Sequence, residues 1–199
     1  MPSGHLVACD PFAAMDAKNN AFIRVTKGRH PVTVTLVDVS ENQNQPNVRE
    51  AYASIYLQKG EEAYRKAIPL AVDDKNRAEP QADEFQGFFV DAGTACFVDA
   101  WSVENCMPDS STWYNELFEN SSPNCWFNRM DDPNHIRNGI ANITLPLAKK
   151  GENLILFHSG WGDGTYPLVG SFDRANNLLA VHIDFFVVSP APDTTKGEC

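Results

Sequence analysis

Positive charge is scarce in this sequence of 199 residues. Lys and Arg number 16 against 26 Asp and Glu, so the formal net charge is −10 at pH 7. Proteins that bind the phosphate backbone of nucleic acids supply cations to it, and anionic membrane surfaces attract basic segments in the same way. The composition therefore argues against nucleic acids and anionic membranes as partners.

Long apolar runs are absent as well. The most apolar segment, residues 178–188, is interrupted by His182 and Asp184 and is too short to span a bilayer. The first ten residues contain no Lys or Arg ahead of their short apolar stretch, so the sequence predicts no secretory signal. We therefore expect a cytoplasmic protein.

Paired cysteines are the third missing feature. The sequence has five cysteines, which are odd in number, widely spaced and without a C-x-x-C motif. A disulfide framework or a zinc ribbon would show paired spacings, so we expect reduced thiols, in agreement with a cytoplasmic location. The five are Cys9, Cys96, Cys106, Cys125 and Cys199.

The sequence does contain many short alternating segments. In residues 32–37 the side chains of Val32, Val34 and Leu36 fall on one face and the threonines on the other, and residues 51–57 alternate in the same way. Period-two alternation is typical of half-buried strands. We predict a mainly β protein over residues 1–188, either a single-domain sandwich or a strongly curved antiparallel sheet, followed by a mobile tail at 189–199.

Helical signals are few. The best lies at 109–120, where Ser111 precedes apolar residues at helical spacing. Thr94 is a possible cap for a short helix from Ala95 onward, although the side chains that follow also suit a strand. The polar, Pro-containing run at 72–84 predicts a surface loop.

Aspartate and glycine cluster in three segments next to predicted strands. These segments are residues 9–11, 90–99 and 159–167. Glycine permits positive φ and close backbone approach, so such loops can present amide groups or a carboxylate to a ligand. A simpler interpretation is that each aspartate only caps its own turn. The third segment lacks the spacing G-x-x-x-x-G-K-[ST], which argues against nucleotide binding by that route.

The same segments resemble the bacterial family known as domain of unknown function 4241. The resemblance lies in five stretches in the same order: G-x-(L/I)-V-A-C-D-P at 4–11, G-x-Y-P-V at 28–32, V-D-A-G-x-x-x-F-x-D at 90–99, S-G-x-G-D-G-x-Y-P at 159–167 and D-F at 184–185. His30 stands where the family has Tyr, and residues 173–177 contain less glycine than the family pattern. The resemblance spans nearly the whole chain and implies no particular activity.

Several side chains are candidates for a functional site. Asp184 shares the polar side of a strand with His182, so both face solvent, a partner strand or a cavity. Cys96 would gain thiolate character in the first turn of a helix, but a cysteine beside Ala95 and Phe97 is more often a small buried hydrophobic residue. The candidate catalytic residues are Asp91, Asp163, Asp184 and Cys96. The candidate ligand-binding residues are Asp10, Asp91, Gly93, Asp99, Ser159, Trp161, Asp163, Gly164, Tyr166 and His182.

The hypothesis for Asp163 is the most specific one. We expect it to face a polar cleft shared with residues 91–93, with Trp161 as a wall; the alternative is an exposed turn residue. Crowded carboxylates repel each other, so Asp163→Asn is expected to stabilise the fold while removing ligand or metal binding.

Two functions agree with these patterns. The first is a small-ligand site, hydrolase-like in character, in which carboxylates converge with His158 or His182 and could hold a divalent metal such as Mg²⁺ or Ca²⁺. The second is an acidic interaction module that neutralises a basic protein partner, such as a toxin, and the net charge of −10 favours it. The sequence indicates neither the substrate nor the oligomeric state.

Overall fold

The structure is a computed structural model of the chain and describes residues 1–15, 21–41, 45–68, 70 and 87–188. The loop predicted at 72–84 and the tail predicted at 189–199 lie outside the described residues and stay predictions. Strands dominate the described part, which confirms the mainly β fold class. In that part of the chain no helix is long and apolar enough to cross a membrane.

Short strands and a few short helices make up the fold. The strands are β1 (His5–Cys9), β2 (Ile23–Arg24), β3 (Val32–Asp38), β4 (Val48–Tyr56), β5 (Tyr64–Ala67), β6 (Gly87–Val90), β7 (Thr94–Asp99), β8 (Ile140–Thr144), β9 (Asn153–His158), β10 (Gly164–Phe172) and β11 (Leu178–Asp184). The α-helices are α1 (Ala100–Cys106) and α2 (Trp126–Asp131).

Two antiparallel sheets pack face to face. The first has the strand order β2-β1-β7-β9-β8. The second has the order β3-β4-β11-β10-β5, and β6 pairs with the first half of β10. The predicted sandwich is therefore present, and β3 and β8 are edge strands of the two sheets.

The central strands of the first sheet are buried on both faces. Phe97 of β7 packs between the sheets against Phe157 of β9, with ring centroids 5.5 Å apart. Cys96 faces the opposite side, where the helical segment covers the sheet and contributes Trp126 to a second core. Strands with two buried faces consist of continuous apolar runs, which is why β1 and β7 lack alternation.

The position of β7 decides between the helix and the strand that the sequence left open. Thr94 does not cap a helix, because residues 94–99 form a strand and α1 begins only after Asp99, whose side chain accepts a hydrogen bond from the N–H of Ser102. The apolar residues of β7 fill two cores at once, and that packing favours the strand over the helix. The helix predicted at 109–120 is confirmed in part, as a 3₁₀ turn at Ser110–Thr112 and a π-helical turn at Tyr114–Phe118.

Strand β11 follows its predicted alternation. Its apolar side is buried between the sheets, as Val181 and Ile183 show. On its polar side His182 is only 7% exposed. The imidazole lies between neighbouring strands, with Nδ1 2.7 Å from the hydroxyl of Ser54 and Nε2 2.7 Å from that of Ser171.

Candidate functional site

The three segments rich in Asp and Gly meet at one end of the sandwich. The Oδ2 atom of Asp10 accepts hydrogen bonds from the backbone N–H groups of Asp91 and Ala92, at 2.9 and 2.8 Å. The Oδ1 atom of Asp163 accepts one from the N–H of Gly93, at 2.9 Å. Aspartate side chains therefore hold together three loops that are distant in the sequence.

A cavity of about 500 Å³ lies beside this junction, and we call it the loop cavity. Its volume is within the range of about 300–1,000 Å³ that is usual for small-molecule sites. The start of β4, the turn before β8 and the loop after β9 form its walls. The polar residues among its lining are Arg49, Glu50, Arg137, Asn138, His158 and Trp161.

Gly160 allows the loop after β9 to cross closely over β4. Its φ is +64°, and a Cβ at this position would lie 2.7 Å from the carbonyl oxygen of Glu50. A residue with a side chain meets both a steric clash and an unfavourable backbone conformation there. The close crossing places the next residue, Trp161, at the mouth of the loop cavity with 54% of its surface exposed.

Glu50 is the buried acid of the loop cavity. It lines the cavity, yet only 6% of its surface is exposed. Burial raises the pKa of its carboxyl above the ordinary value, while its own backbone N–H and the nearby His158, Arg137 and Arg49 offset part of that rise. A carboxyl with a raised pKa exchanges protons nearer to neutral pH, which suits general acid–base chemistry.

Gly139 brings Glu50 and His158 to the same place. A Cβ on Gly139 would lie 2.6 Å from Nδ1 of His158 and 3.2 Å from Oε1 of Glu50. The imidazole and the carboxyl therefore flank a single point that only a glycine leaves free. The backbone carbonyl of Gly139 also accepts a hydrogen bond from the N–H of His158, at 3.0 Å, which fixes the end of β9.

Two arginines bring positive charge to the loop cavity. The guanidinium of Arg49 lies over the ring of Trp161, with 5.3 Å between its Cζ atom and the ring centroid. It also donates hydrogen bonds to the side chain of Asn47 at 3.0 Å and to the carbonyl of Gly160 at 3.4 Å. Arg137 is exposed and also lines the cavity. Arginines in such positions bind carboxylate and phosphate groups of ligands.

A bulge in β4 turns Glu50 toward the loop cavity. Strand β3 pairs Thr35 with Tyr52, but its next residue, Leu36, pairs with Glu50 and skips Ala51. Regular alternation would place Glu50 on the same outer face as Tyr52, and one extra residue reverses that. Bulges often orient side chains next to functional sites.

Sequence reasoning missed four polar residues of the loop cavity. Alternation shows no bulge, and a charged pair at the start of a strand is typical of exposed surface. The turn before β8 follows an irregular segment whose path the sequence does not predict. The missed residues are Arg49, Glu50, Arg137 and Asn138.

Some of the predicted ligand-binding residues belong to the loop cavity. Gly93 and Trp161 line it. Ser159 and Tyr166 support its loop, because each donates its hydroxyl hydrogen to the carbonyl oxygen of Gly162, at 2.7 Å in both cases. Their position therefore suits shaping the loop rather than direct contact with a ligand.

The two predicted aspartates of these loops lie outside the lining of the loop cavity. Asp91 and Asp163 are both exposed, and neither lines the loop cavity. Gly164 begins β10, where it pairs with Val90. Because Asp163 is bonded to the N–H of Gly93, the structure gives no support to the carboxylate repulsion that Asp163→Asn was expected to relieve.

Three further predicted residues lie away from the loop cavity. Asp99 accepts hydrogen bonds from the backbone and the hydroxyl of Ser3, in addition to capping α1. Asp184 accepts one from the N–H of Phe186, at 2.8 Å. His182 lies between strands of the second sheet, as described above. None of the three lines the loop cavity.

Cys96 is a core residue of β7. It is fully buried, and its Sγ atom lies 3.6 Å from that of Cys9 on the neighbouring strand. Cys96 lies in a strand and not in the first turn of a helix, so the helix dipole that would favour a thiolate is missing. The described cysteines, Cys9, Cys96, Cys106 and Cys125, are all free thiols.

The donor set of the loop cavity is small. Within residues 1–15, 21–41, 45–68, 70 and 87–188, no group of three or more His, Cys, Asp or Glu side chains is placed to hold a metal ion.

Comparison with known proteins identifies a family. The chain matches no curated protein and no solved structure. The family model described as "Protein of unknown function (DUF4241)" matches residues 1–183, and the chain belongs to that family.

Proposed function

We propose that the protein binds a small anionic molecule in the loop cavity and hydrolyses it. The observation that carries this proposal is the position of Glu50, a buried acid in an open cavity beside His158 and two arginines. The chain has a net charge of −10, whereas the cavity has two arginines and only one carboxylate, so its local charge is more positive than that of the molecule as a whole. That contrast favours an anionic group on the ligand.

The reaction assigns a role to each polar group. Arg49 and Arg137 hold the anionic group, and Trp161 covers an apolar part of the ligand. Glu50 takes a proton from a water molecule as the water oxygen bonds to the electrophilic carbon or phosphorus. The bond to the leaving group then breaks, and His158 supplies the proton that the leaving group takes up. The proton on Glu50 returns to His158, so the pair ends in its starting state.

Arg137→Ala tests the binding step. We expect the affinity for inorganic phosphate or succinate, measured by isothermal titration calorimetry, to fall by about tenfold, because one charge-assisted contact is lost. Arg174→Ala is the matched control, since Arg174 is also exposed but belongs to the turn between β10 and β11. Equal affinities for the two variants would contradict the proposal.

Glu50→Gln tests the chemical step. The variant keeps the shape of the side chain but cannot accept a proton, so hydrolysis of para-nitrophenyl phosphate or para-nitrophenyl hemisuccinate should fall by at least about a hundredfold. Binding of the same anion should persist, which separates catalysis from binding. Hydrolysis by the parent protein that is unchanged in Glu50→Gln would exclude this role.

The interaction module stays an alternative. It rests on the net charge of −10. A protein that binds neither anion but forms a complex with a basic protein would favour the alternative over the loop cavity.

A further inference from the structure

The two sheets separate at one edge of the sandwich. Between edge strand β3 and edge strand β8 lies an open space of about 840 Å³, which we call the inter-sheet cleft. It shares no lining residue with the loop cavity. The conclusions drawn from the two sites are therefore independent.

The floor of the inter-sheet cleft is apolar and only half covered. Val32 and Val34 of β3 face inward, yet both stay half-buried, as does Ile155 of β9 opposite them. One strand further in, Ala53 and Ile55 of β4 are almost completely buried. Inward-facing side chains of a closed sandwich interdigitate and lose their contact with water. The half-buried residues therefore mark apolar surface that the sheets themselves leave uncovered.

Polar side chains explain why the sheets separate here. The inner face of β8 begins with Ile140 but continues with Asn142 and Thr144, and β9 places Asn153 beside them. The amide of Asn153 donates a hydrogen bond to the side-chain oxygen of Asn142, at 2.7 Å. Polar groups opposite valines gain nothing from closing the sandwich, because they would lose their hydration. The opening is thus encoded by the sequence of β8 and β9.

Cations surround the opening. Lys27, Arg29 and Lys150 line the cleft, and among the described residues none of the three forms an ion pair. The two carboxylates of the lining are already bonded. Asp99 holds Ser3 and the start of α1, and Glu152 accepts hydrogen bonds from the N–H groups of Lys149 and Lys150.

We propose that the inter-sheet cleft binds an amphipathic anion, a molecule with an apolar chain and one acidic headgroup. The chain lies on the valine and isoleucine floor, and the headgroup reaches the lysines and the arginine at the rim. Charge complementarity supports this occupant over a cation or a neutral lipid, because three exposed cationic side chains line the cleft in a protein with a net charge of −10. The cleft volume of about 840 Å³ is also within the range of about 300–1,000 Å³ that is usual for small-molecule sites.

Dodecanoate is a suitable probe, and dodecyltrimethylammonium is its cationic counterpart of equal chain length. We expect dodecanoate to displace anilinonaphthalene sulfonate from the protein with a stoichiometry of one, and the cationic amphiphile to compete at least about tenfold less well. Equal competition by the two amphiphiles would overturn the proposal.

Val34→Glu places a carboxylate on the apolar floor and should weaken dodecanoate binding at least about tenfold. Thr33→Glu is the matched control, because Thr33 is exposed on the other face of the same strand.

A second test changes the exposed rim of the cleft. The double variant Arg29→Glu and Lys150→Glu leaves the core intact and should also weaken dodecanoate binding. Unchanged binding in Val34→Glu or in the rim variant would refute the cleft as the site.

A second copy of the chain is the competing occupant. Sedimentation of the parent protein as a dimer that Val34→Glu, but not Thr33→Glu, converts to a monomer would overturn the proposal. Arg137→Ala should leave dodecanoate binding unchanged, so a failure of the loop-cavity proposal can be told apart from a failure of this one.

Discussion

Asp10 shows how one buried carboxylate organises a loop cluster. It is completely buried, and its two oxygens accept four backbone N–H groups. Two of these groups belong to residues 12 and 13 and the other two to residues 91 and 92. Anionic acceptors of several N–H groups are strong partners, because the hydrogen bonds replace the lost hydration.

Asp10→Asn should therefore destabilise the fold by about 2 kcal/mol, because an amide NH₂ would face two N–H donors. Urea unfolding of the variant and the parent measures this difference. Asp91→Asn is the control: Asp91 is exposed, so its substitution should change the free energy of unfolding by less than about 0.5 kcal/mol. Equal stability of Asp10→Asn and the parent would show that the four contacts are dispensable.

At the scale of elements, the alternating strands were predictable and the exceptions were not. Residues 32–36 alternate between half-buried and exposed positions as predicted. In residues 178–184 Val181 and Ile183 lie in the core as predicted, although the opposite face of that strand is buried as well. For strand β7 the sequence left both a helix and a strand open, since a run buried on both faces has no period. The candidate site was likewise predictable only where a local sequence pattern marks it. Its glycine loops were visible in the sequence, whereas Glu50 depends on a bulge that no local pattern shows.

The junction between α2 and β9 also depends on one glycine. Gly139 has a φ of +87°, donates a hydrogen bond to the carbonyl of Met130 and accepts one from the N–H of His158. Gly139→Ala should cost about 1–2 kcal/mol through its backbone alone, and more through the clash with the imidazole. It should also displace His158 and reduce hydrolysis at the loop cavity.

Gly151→Ala separates the two effects. Gly151 has nearly the same backbone conformation, with a φ of +80°, but no atom lies within 4 Å of its Cβ position. Thermal unfolding of both variants should show the larger loss for Gly139→Ala. Equal losses would mean that the imidazole moves aside without cost.

At the scale of the whole molecule, His182 makes the stability of the protein depend on pH. It joins three strands of the second sheet through Ser54 of β4 and Ser171 of β10. Burial and, to a smaller degree, Arg65 lower its pKa to about 4, while Glu62 acts in the opposite direction. The folded protein thus keeps a neutral imidazole under conditions in which the unfolded chain already binds a proton.

The free energy of unfolding should therefore decrease as the pH falls from about 6.5, the ordinary pKa of histidine, to about 4, where the folded protein also takes up the proton. The contribution of His182 lost over this window is on the order of 2 to 3 kcal/mol. Urea unfolding of the parent and of His182→Gln at a series of pH values measures it. Glutamine does not titrate, so the pH dependence of the free energy of unfolding of His182→Gln comes from the other titratable groups alone. The difference between the two curves therefore gives the contribution of His182. Parallel curves would show that the imidazole is charged in the fold or that its network opens to water.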